Sequence, residues 1–391
     1  MKIVINNADL QSLIAAATAV SKSPDPIQII AERIGDVPGE TEFDTQEHPP
    51  EAGQLRIIAF NETMVSEWRR PAEIRMTGSI AVRPDGLDRL VKASKNSDST
   101  FVLETIETDN DRSLRLSTSR SAHEFPGVSA EVFDTVVPGH TGGGRANLQN
   151  LATAISTAKV AAAAKGDATG ARITLTGVHI RNRDDVYDIV ATDGKRLAVT
   201  TLKDSDVGGL DLGDAPDGVT IPPESISLIT EMLNGPESRF QVVENNIVVE
   251  CPDGSLSVRM FDTKYVDYAA LLRMETDNKL SIPKSALEMA LQRSSVALAR
   301  DKRSVAVKMS RGEEGIYITS SAAGQSSSEC ISDEPGEEIA IGFDARYMQN
   351  AISVFGHGDI QLDFSNDRVP IWVTSRTQPA IKMLVMPCKI S

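Results

Sequence analysis

The sequence predicts an α+β fold in which one unit, two helices packed on antiparallel sheet, occurs three times along the chain. The first sign is a helical segment, A-D-L-Q-S-L-I-A-A-A at 8–17. It returns as A-N-L-Q-N-L-A-T-A-I at 146–155 and as S-A-L-E-M-A-L-Q-R-S at 285–294. Leu10, Leu148 and Leu287 thus recur at a spacing of about 140 residues, which marks repeated domains rather than a solenoid of small units. A second helical segment recurs as well, as R-P-D-G-L-D-R-L from Arg83, I-P-P-E-S-I-S-L from Ile221 and G-F-D-A-R-Y-M-Q from Gly342. Each of these follows a strand and precedes alternating apolar runs broken by turn residues. The expected domains are 1–127, 128–268 and 269–391.

In the first repeat, residues 2–6 alternate as a strand, and Asp9 is placed to cap a helix that carries Leu10, Leu13, Ile14, Ala17 and Val20 on one face. Pro24 and Pro26 end that helix, and a strand follows at 27–30. The stretch 35–53, rich in Glu, Asp, Pro and Gly, reads as a solvated loop because it holds little apolar surface to repay ordering. Strands are expected at 55–60, 64–68 and 79–82, a helix at 87–93, and strands at 101–104 and 114–118, closing near Phe125-Pro126. The middle repeat ends in strands at 240–243, 247–251 and 256–261, turned by Asn245-Asn246 and Asp253-Gly254. The last ends in strands at 360–364, 371–374 and 381–386.

Composition narrows the function. Only 4% of residues are aromatic, so the cores rest on Leu, Ile, Val and Ala. Cys251, Cys330 and Cys388 are an odd number, lie far apart and form no C-x-x-C pair, which fits a reducing cytoplasm. No signal-peptide pattern and no membrane-length apolar run is present, so no membrane partner is expected. The five histidines show no metal-ligand spacing, G-x-S-x-G is absent, and the glycines at 142–144 lack the ending of a phosphate-binding loop. No catalytic residue, metal or cofactor is expected. The formal net charge of −15 repels nucleic acid as a whole-molecule field. Basic residues nevertheless gather on or beside the repeated helices: Lys22, Arg83 and Lys92, then Lys159 and Lys165, then Arg293, Arg300 and Arg346. Each could equally be an ordinary solvated side chain. The helix at 223–233 carries Glu224 and Glu231 and no base.

One stretch stands out. In I-V-A-T-D-G-K-R-L-A-V-T at 189–200, two β-branched runs flank Asp193-Gly194, a pair suited to the positive φ angles of a tight hairpin turn. Lys195 and Arg196 run directly into apolar Leu197-Ala198-Val199, which suits a surface that receives a ligand. A phosphate held at Asp193–Arg196 is the enzyme-type alternative.

A-T-D-G-K-R-L-A at 191–198 and L-V-M-P-C-K-I at 384–390 resemble the bacterial DNA polymerase III β subunit, the DNA sliding clamp. F-D-T-K-Y-V-D-Y at 261–268 is similar to that family's segment between its second and third domains, and G-F-D-A-R-Y at 342–347 to its final helix. The resemblance implies the DNA clamp fold: a head-to-tail homodimeric ring around duplex DNA, helices inside and sheets outside, in the bacterial cytoplasm at the nucleoid. It implies the polymerase III catalytic subunit, a clamp-loader complex and other proteins bearing a clamp-binding motif as partners, with no catalysis by the clamp. The eight helix-borne cations named above would then face DNA through water. Leu114 and Leu116 would meet the partner subunit's region equivalent to Val296 and Leu298 at the dimer interface. Partner peptides would enter a pocket between the second and third domains, walled by Leu175, Thr192, Gly194, Lys195, Arg196, Leu197, Val266, Leu271, Leu384, Met386, Pro387 and Cys388. The family pattern is broken at Lys195, Val266, Ala270 and Cys388, which would reshape that pocket. A clamp-like scaffold that does not tether DNA is the alternative, and the acidic 223–233 helix agrees with it.

Overall fold

The computed structural model describes residues 1–21, 25–34, 44, 46–94, 100–108, 111–128, 144–208, 210–213, 215, 217–298, 305–322, 325–366 and 368–389. Among these residues the α-helices are α1 (Asn7–Val20), α2 (Pro84–Ala93), α3 (Gln149–Lys159), α4 (Ile226–Leu233), α5 (Lys284–Leu298) and α6 (Ala345–Ser353). They lie against largely antiparallel sheet, so the α+β expectation holds. The chain divides into two compact units. One comprises Met1–Leu148, Gly209–Gly213 and Ser227–Met260; the other comprises Gln149–Gly208, Asp214–Ile226 and Phe261–Ser391.

The first unit is built on a twelve-stranded sheet, antiparallel except where Leu210–Asp211 runs parallel to Arg239–Val243. Against it, α1 buries Leu10, Leu13, Ile14, Ala17 and Val20, the spacing expected of one helix face. The cap is not Asp9. Asn6 holds the N-cap position, and its side chain accepts the Asp9 N–H, because the chain leaves the strand Lys2–Asn6 directly into the helix.

Three further expectations change in detail. Glu51–Gly53, expected in the acidic loop, already belongs to the strand Glu51–Phe60 and pairs with Ala72–Ile74. Arg33 explains this, for it pairs with Asp44 at 2.6 Å and Glu51 at 2.8 Å and neutralises that flank. Residues 35–43 and 45, the rest of the stretch's centre, lie outside the described residues. Phe125-Pro126, expected to close the block, sit inside another strand, Ala122–Val128. The turns after 243 and 251 fall one residue early, since pairing resumes at Val243↔Asn246 and Cys251↔Gly254 and leaves Glu244 at φ 54. Gly254 is needed by the sheet instead. A Cβ there would lie 2.3 Å from the Glu67 carbonyl oxygen and 2.8 Å from the Trp68 ring.

The second unit holds an eight-stranded sheet and a four-stranded one. In the first, the hairpin Val186–Thr192/Arg196–Lys203 is flanked by Val178–Arg183 on one side and Ile381–Val385 on the other. In the second, the order is Gln325–Ser332, Gly315–Ala322, Ala306–Gly312, Ile339–Asp344. Helix α5 packs on the first two of these strands, with α6 beside α5.

The repeat is visible in how strands join. In the first unit, Met64–Trp68, from the third strand after α1 and before α2, pairs antiparallel with Gly254–Val258, from the strand that ends the middle repeat. In the second unit, Arg196–Thr200 pairs antiparallel with Ile381–Val385, the corresponding strands of the middle and last repeats. The counterparts left over are Gln325–Ser332 and Ala122–Val128. Among the described residues the first pairs only with Gly315–Ala322, and 122–126 of the second only with Arg112–Ser117. Both strands are largely exposed.

Candidate functional site

The hairpin at 186–203 is present, but its turn is longer than an Asp-Gly pair. Pairing ends at Thr192↔Leu197, so the loop spans Asp193–Arg196, and only Gly194 takes a positive φ, 85°. The cause is the Asp193 carboxylate. Its Oδ1 accepts the N–H groups of Lys195 at 2.8 Å and Arg196 at 3.0 Å, an Asx turn that keeps Asp193 itself out of the left-handed region. The Thr192 hydroxyl closes the loop by donating to the Arg196 carbonyl at 2.6 Å.

Beneath the loop the sheet pairs Leu197 with Leu384. These two join Val190, Val199, Tyr268 and Trp372 in one buried apolar cluster, with Tyr265, Leu271 and Leu272 packed on it. Leu271 reaches the cluster from a short helical turn, Leu271–Arg273. The Lys195 carbonyl accepts the Met386 N–H at 2.8 Å, which fixes the loop to the chain's last strand. Met386, next after the strand that carries Leu384, is 37% exposed, and Val266, next in sequence to Tyr265, is 40% exposed. Pro387 bridges Phe343, and the Cys388 N–H donates to the Gly342 carbonyl at 2.8 Å. Burial, then the charge of Asp344, pushes the Cys388 thiol up and keeps it protonated.

Of the residues expected around this site, the structure thus gathers Thr192, Gly194, Lys195, Arg196, Leu197, Leu271, Leu384, Met386, Pro387 and Cys388 on the elements just described. Val266 is exposed on the segment that carries Tyr265 and Tyr268. Leu175 is buried on a 3-10 segment, Gly170–Thr176, its carbonyl bonded to the Ala163 N–H, and it is not a member of the apolar cluster.

Sequence reasoning missed several neighbours. The Tyr265 hydroxyl accepts the Thr192 N–H at 3.1 Å, and its ring stacks on His179 with centroids 4.5 Å apart. Burial, then the nearby Arg181 charge, lowers the His179 pKa from 6.5 to about 4. Burial raises Tyr265, and burial followed by the Asp188 charge pushes Tyr268 up to about 12, so both phenols stay neutral. Tyr347 of α6 faces the loop: Lys195 Nζ lies 5.8 Å, Arg196 Cζ 5.1 Å and Arg346 Cζ 5.7 Å from its ring centre. Arg172 also approaches, since its Nη2 would lie 3.2 Å from a Cβ on Gly194. The motifs at 261–268 and 342–347 contain these tyrosines, but no local signal ties them to the hairpin.

The remaining cations are distributed unevenly. Arg83, Lys159 and Lys165 are exposed on or just outside α2 and α3. Lys92 pairs with Asp88 at 2.7 Å, and Arg293 with Glu329 at 3.2 Å. Arg346 stands by Tyr347. Lys22 and Arg300 lie outside the described residues, as do the side chains of Val296 and Leu298. Leu114 and Leu116, expected at a dimer interface, are fully buried within their own unit on the strand next to Ala122–Val128. Among the described residues no group of His, Cys, Asp and Glu could hold a metal ion, and no helix is long and apolar enough to cross a membrane.

This arrangement of helix pairs on strand-sharing sheets is the DNA-clamp fold. The β sliding clamp of Caulobacter crescentus superposes over all of this chain and 99% of its own with a TM-score of 0.82 at 20% identity, and the DNA polymerase III β subunit of Pseudomonas aeruginosa over all of both chains with 0.81 at 17%. The family described as DNA polymerase III beta subunit, C-terminal domain, matches residues 270–389. The β sliding clamp of Synechocystis is 25% identical over the whole of both chains, and that of Synechococcus elongatus 25% identical over 86% of this chain and 88% of its own. Residues 270–389 thus match the C-terminal domain of the DNA polymerase III β subunit, and the chain along its whole length is similar to β sliding clamps.

Proposed function

We propose that this chain is a DNA sliding clamp: a head-to-tail homodimeric ring of six repeats that encircles duplex DNA and confers processivity on the replicative polymerase. The observation that carries the reading is the strand pairing. Two repeat junctions are made inside the chain by equivalent antiparallel pairs, Met64–Trp68 with Gly254–Val258 and Arg196–Thr200 with Ile381–Val385. The third equivalent pair is Gln325–Ser332 with Ala122–Val128, and each of these strands offers an open edge. An unprotected edge invites another strand. Pairing the last repeat of one copy with the first of the next is a heterologous contact, which generates a ring where the rotation closes, here after two copies.

A ring holds DNA by topology, so it needs few tight phosphate contacts. That reconciles a net charge of −15 with nucleic acid. Exposed Arg83, Lys159 and Lys165 supply weak positive charge on or beside the helices. The open apolar surface beside Leu197 and Leu384 receives short peptides of the polymerase, the clamp loader and other partners, which bring aliphatic or aromatic anchors. The three repeats, 1–127, 128–268 and 269–391, are the working domains of this ring, and the clamp performs no chemistry of its own.

The test is retention. After loading onto nicked circular DNA, the protein stays bound through gel filtration at high salt and is lost when the circle is cut. Equal retention on circular and linear DNA refutes encirclement.

A further inference from the structure

We propose that the first repeat junction holds a separate docking site, a cavity walled by α1, α4 and the strand Met64–Met76. Its occupant is a partner-protein segment that sets an apolar anchor beside a lysine or arginine. The site is distinct from the hairpin surface, and the inference stands whether or not the chain encircles DNA.

The cavity measures about 360 Å³ and lies wholly within the first unit. That is the size of a pocket that takes up a small ligand or an anchoring side chain. Helix α1 lines it with Ser12, Ala15, Ala16 and Ala19, which recur at i, i+3, i+4 and i+7 and form a second face apart from the one buried in the core. A solvated helix face ordinarily carries charged or long polar side chains. Here alanine leaves the face smooth and apolar. Helix α4 adds buried Leu228 and Met232, and the strand adds Trp68. The Trp68 ring lies on the Gly254 backbone, where a Cβ would come within 2.8 Å of it, so it walls the cavity.

Two polar groups of the wall lack partners. Trp68 is 7% exposed, and its Nε1 finds no acceptor among the described residues. A buried donor left unbonded costs free energy. Glu231, exposed on α4, forms no ion pair among the described residues. Arg70, the one cation among the described residues that line the cavity, is already answered. It donates to the Ser12 hydroxyl at 2.9 Å and lies 3.0 Å from Asp253 and 3.6 Å from Asp9. One guanidinium thus faces Asp9, Asp253 and Glu231, and the site is left negative, which repels a phosphate backbone. A basic, apolar segment meets each demand. Its anchor covers the alanine face, Leu228 and Met232, a main-chain carbonyl accepts the Trp68 N–H, and its cation pairs with Glu231.

The probes are short fluorescein-labelled peptides with leucine and phenylalanine anchors flanked by arginine, glutamine or glutamate. Binding to the full-length Met386→Asp protein, whose hairpin surface is closed to peptides, is followed by anisotropy. At low salt the arginine peptide binds about threefold more tightly than its glutamine twin, the glutamate twin binds least, and high salt narrows the gap. A net charge of −15 attracts any basic peptide, so two further changes localise the effect. Glu231→Gln removes most of the arginine advantage and leaves the glutamine peptide within about twofold. Ala15→Trp fills the cavity from an exposed helix position and abolishes binding of both with an unchanged melting temperature. Cys251 also lines the cavity, and burial pushes its thiol up, so it alkylates slowly. Bound arginine peptide slows that alkylation further, read by peptide mass spectrometry, and leaves exposed Cys330 unprotected. No binding, equal binding of the three peptides, an arginine advantage that survives Glu231→Gln in full, or unchanged Cys251 alkylation overturns the proposal. A short DNA duplex that protects Cys251 as well as the peptide does overturns it in favour of a DNA contact.

Discussion

Met386 is the residue at which the proposed peptide site can be tested without disturbing the fold. It is 37% exposed, so a partner can bury only about a third of a side chain whose full burial contributes about 1.5 to 3 kcal/mol. Met386→Ala therefore weakens a peptide by about 0.5 to 1 kcal/mol, or two- to fivefold. Met386→Asp does more, because it asks an apolar anchor to desolvate a carboxylate. A cost of about 2 kcal/mol or more, thirtyfold in affinity, is expected. Leu197 is a poorer probe. It is 1% exposed inside the Val190–Leu384 cluster, and truncating it costs about 2 to 5 kcal/mol of stability before any peptide arrives. The assay is anisotropy with a labelled peptide bearing leucine and phenylalanine, alongside sedimentation and thermal unfolding of each variant. A Met386→Asp protein that remains dimeric, melts like the wild type and binds within twofold of it would refute the placement of the site.

Two further outcomes are expected. Successive residues of a strand send their N–H groups to opposite sides, so of Ser327→Pro and Ser328→Pro one disturbs pairing with Gly315–Ala322 and the other only the open edge. The edge variant sediments as a monomer with little loss of chain stability; two fully dimeric proteins would exclude this edge from the interface. His179 adds a pH dependence. Its pKa falls from 6.5 to about 4 on folding, so the unfolded chain binds the extra proton between those values and stability drops as pH is lowered through that window. The full loss is on the order of 3 kcal/mol, and it is complete only below about pH 4. His179→Phe keeps a ring against Tyr265 and shows a smaller fall in melting temperature between pH 7 and pH 5 than the wild type; an identical fall would assign the acid sensitivity to other groups.

Much of this molecule could be read from spacing. The helix faces at Leu10, Leu13 and Ile14, the hairpin at 189–200 and the ladders that end each repeat follow from local periodicity, and the structure keeps them. What failed depended on side-chain chemistry that periodicity does not encode. Asn6 displaced Asp9 as the cap, Asp193 bound two N–H groups and lengthened the turn, and Arg33 paired with Asp44 and Glu51. Around the site, Leu197, Leu384 and Met386 were legible as an apolar run beside a basic pair and a C-terminal strand. Tyr347 was not, since it lies about 150 residues from Lys195 and no periodicity relates them. Leu114 and Leu116 were alternating apolar residues of a strand, a pattern that a buried core and a subunit interface share; among them the core takes both.

The two junctions within the chain use one construction and reach different ends. At the first, Met64, Ser66 and Trp68 are all buried, Gly254 admits the Trp68 ring against the backbone, and Arg70 pairs with Asp253 at 3.0 Å across the turn. Trp68, Arg70 and Asp253 there line a cavity of about 360 Å³ together with residues of α1 and α4. At the second, the turn is lengthened by Asp193, Met386 and Val266 stay exposed, and Lys195, Arg196 and Arg346 gather on the Tyr347 ring. An apolar surface left open next to unbalanced charge gains free energy when a ligand supplies both complements. The proposed peptide site is placed at the second junction for that reason, since at the first Asp253 already answers Arg70.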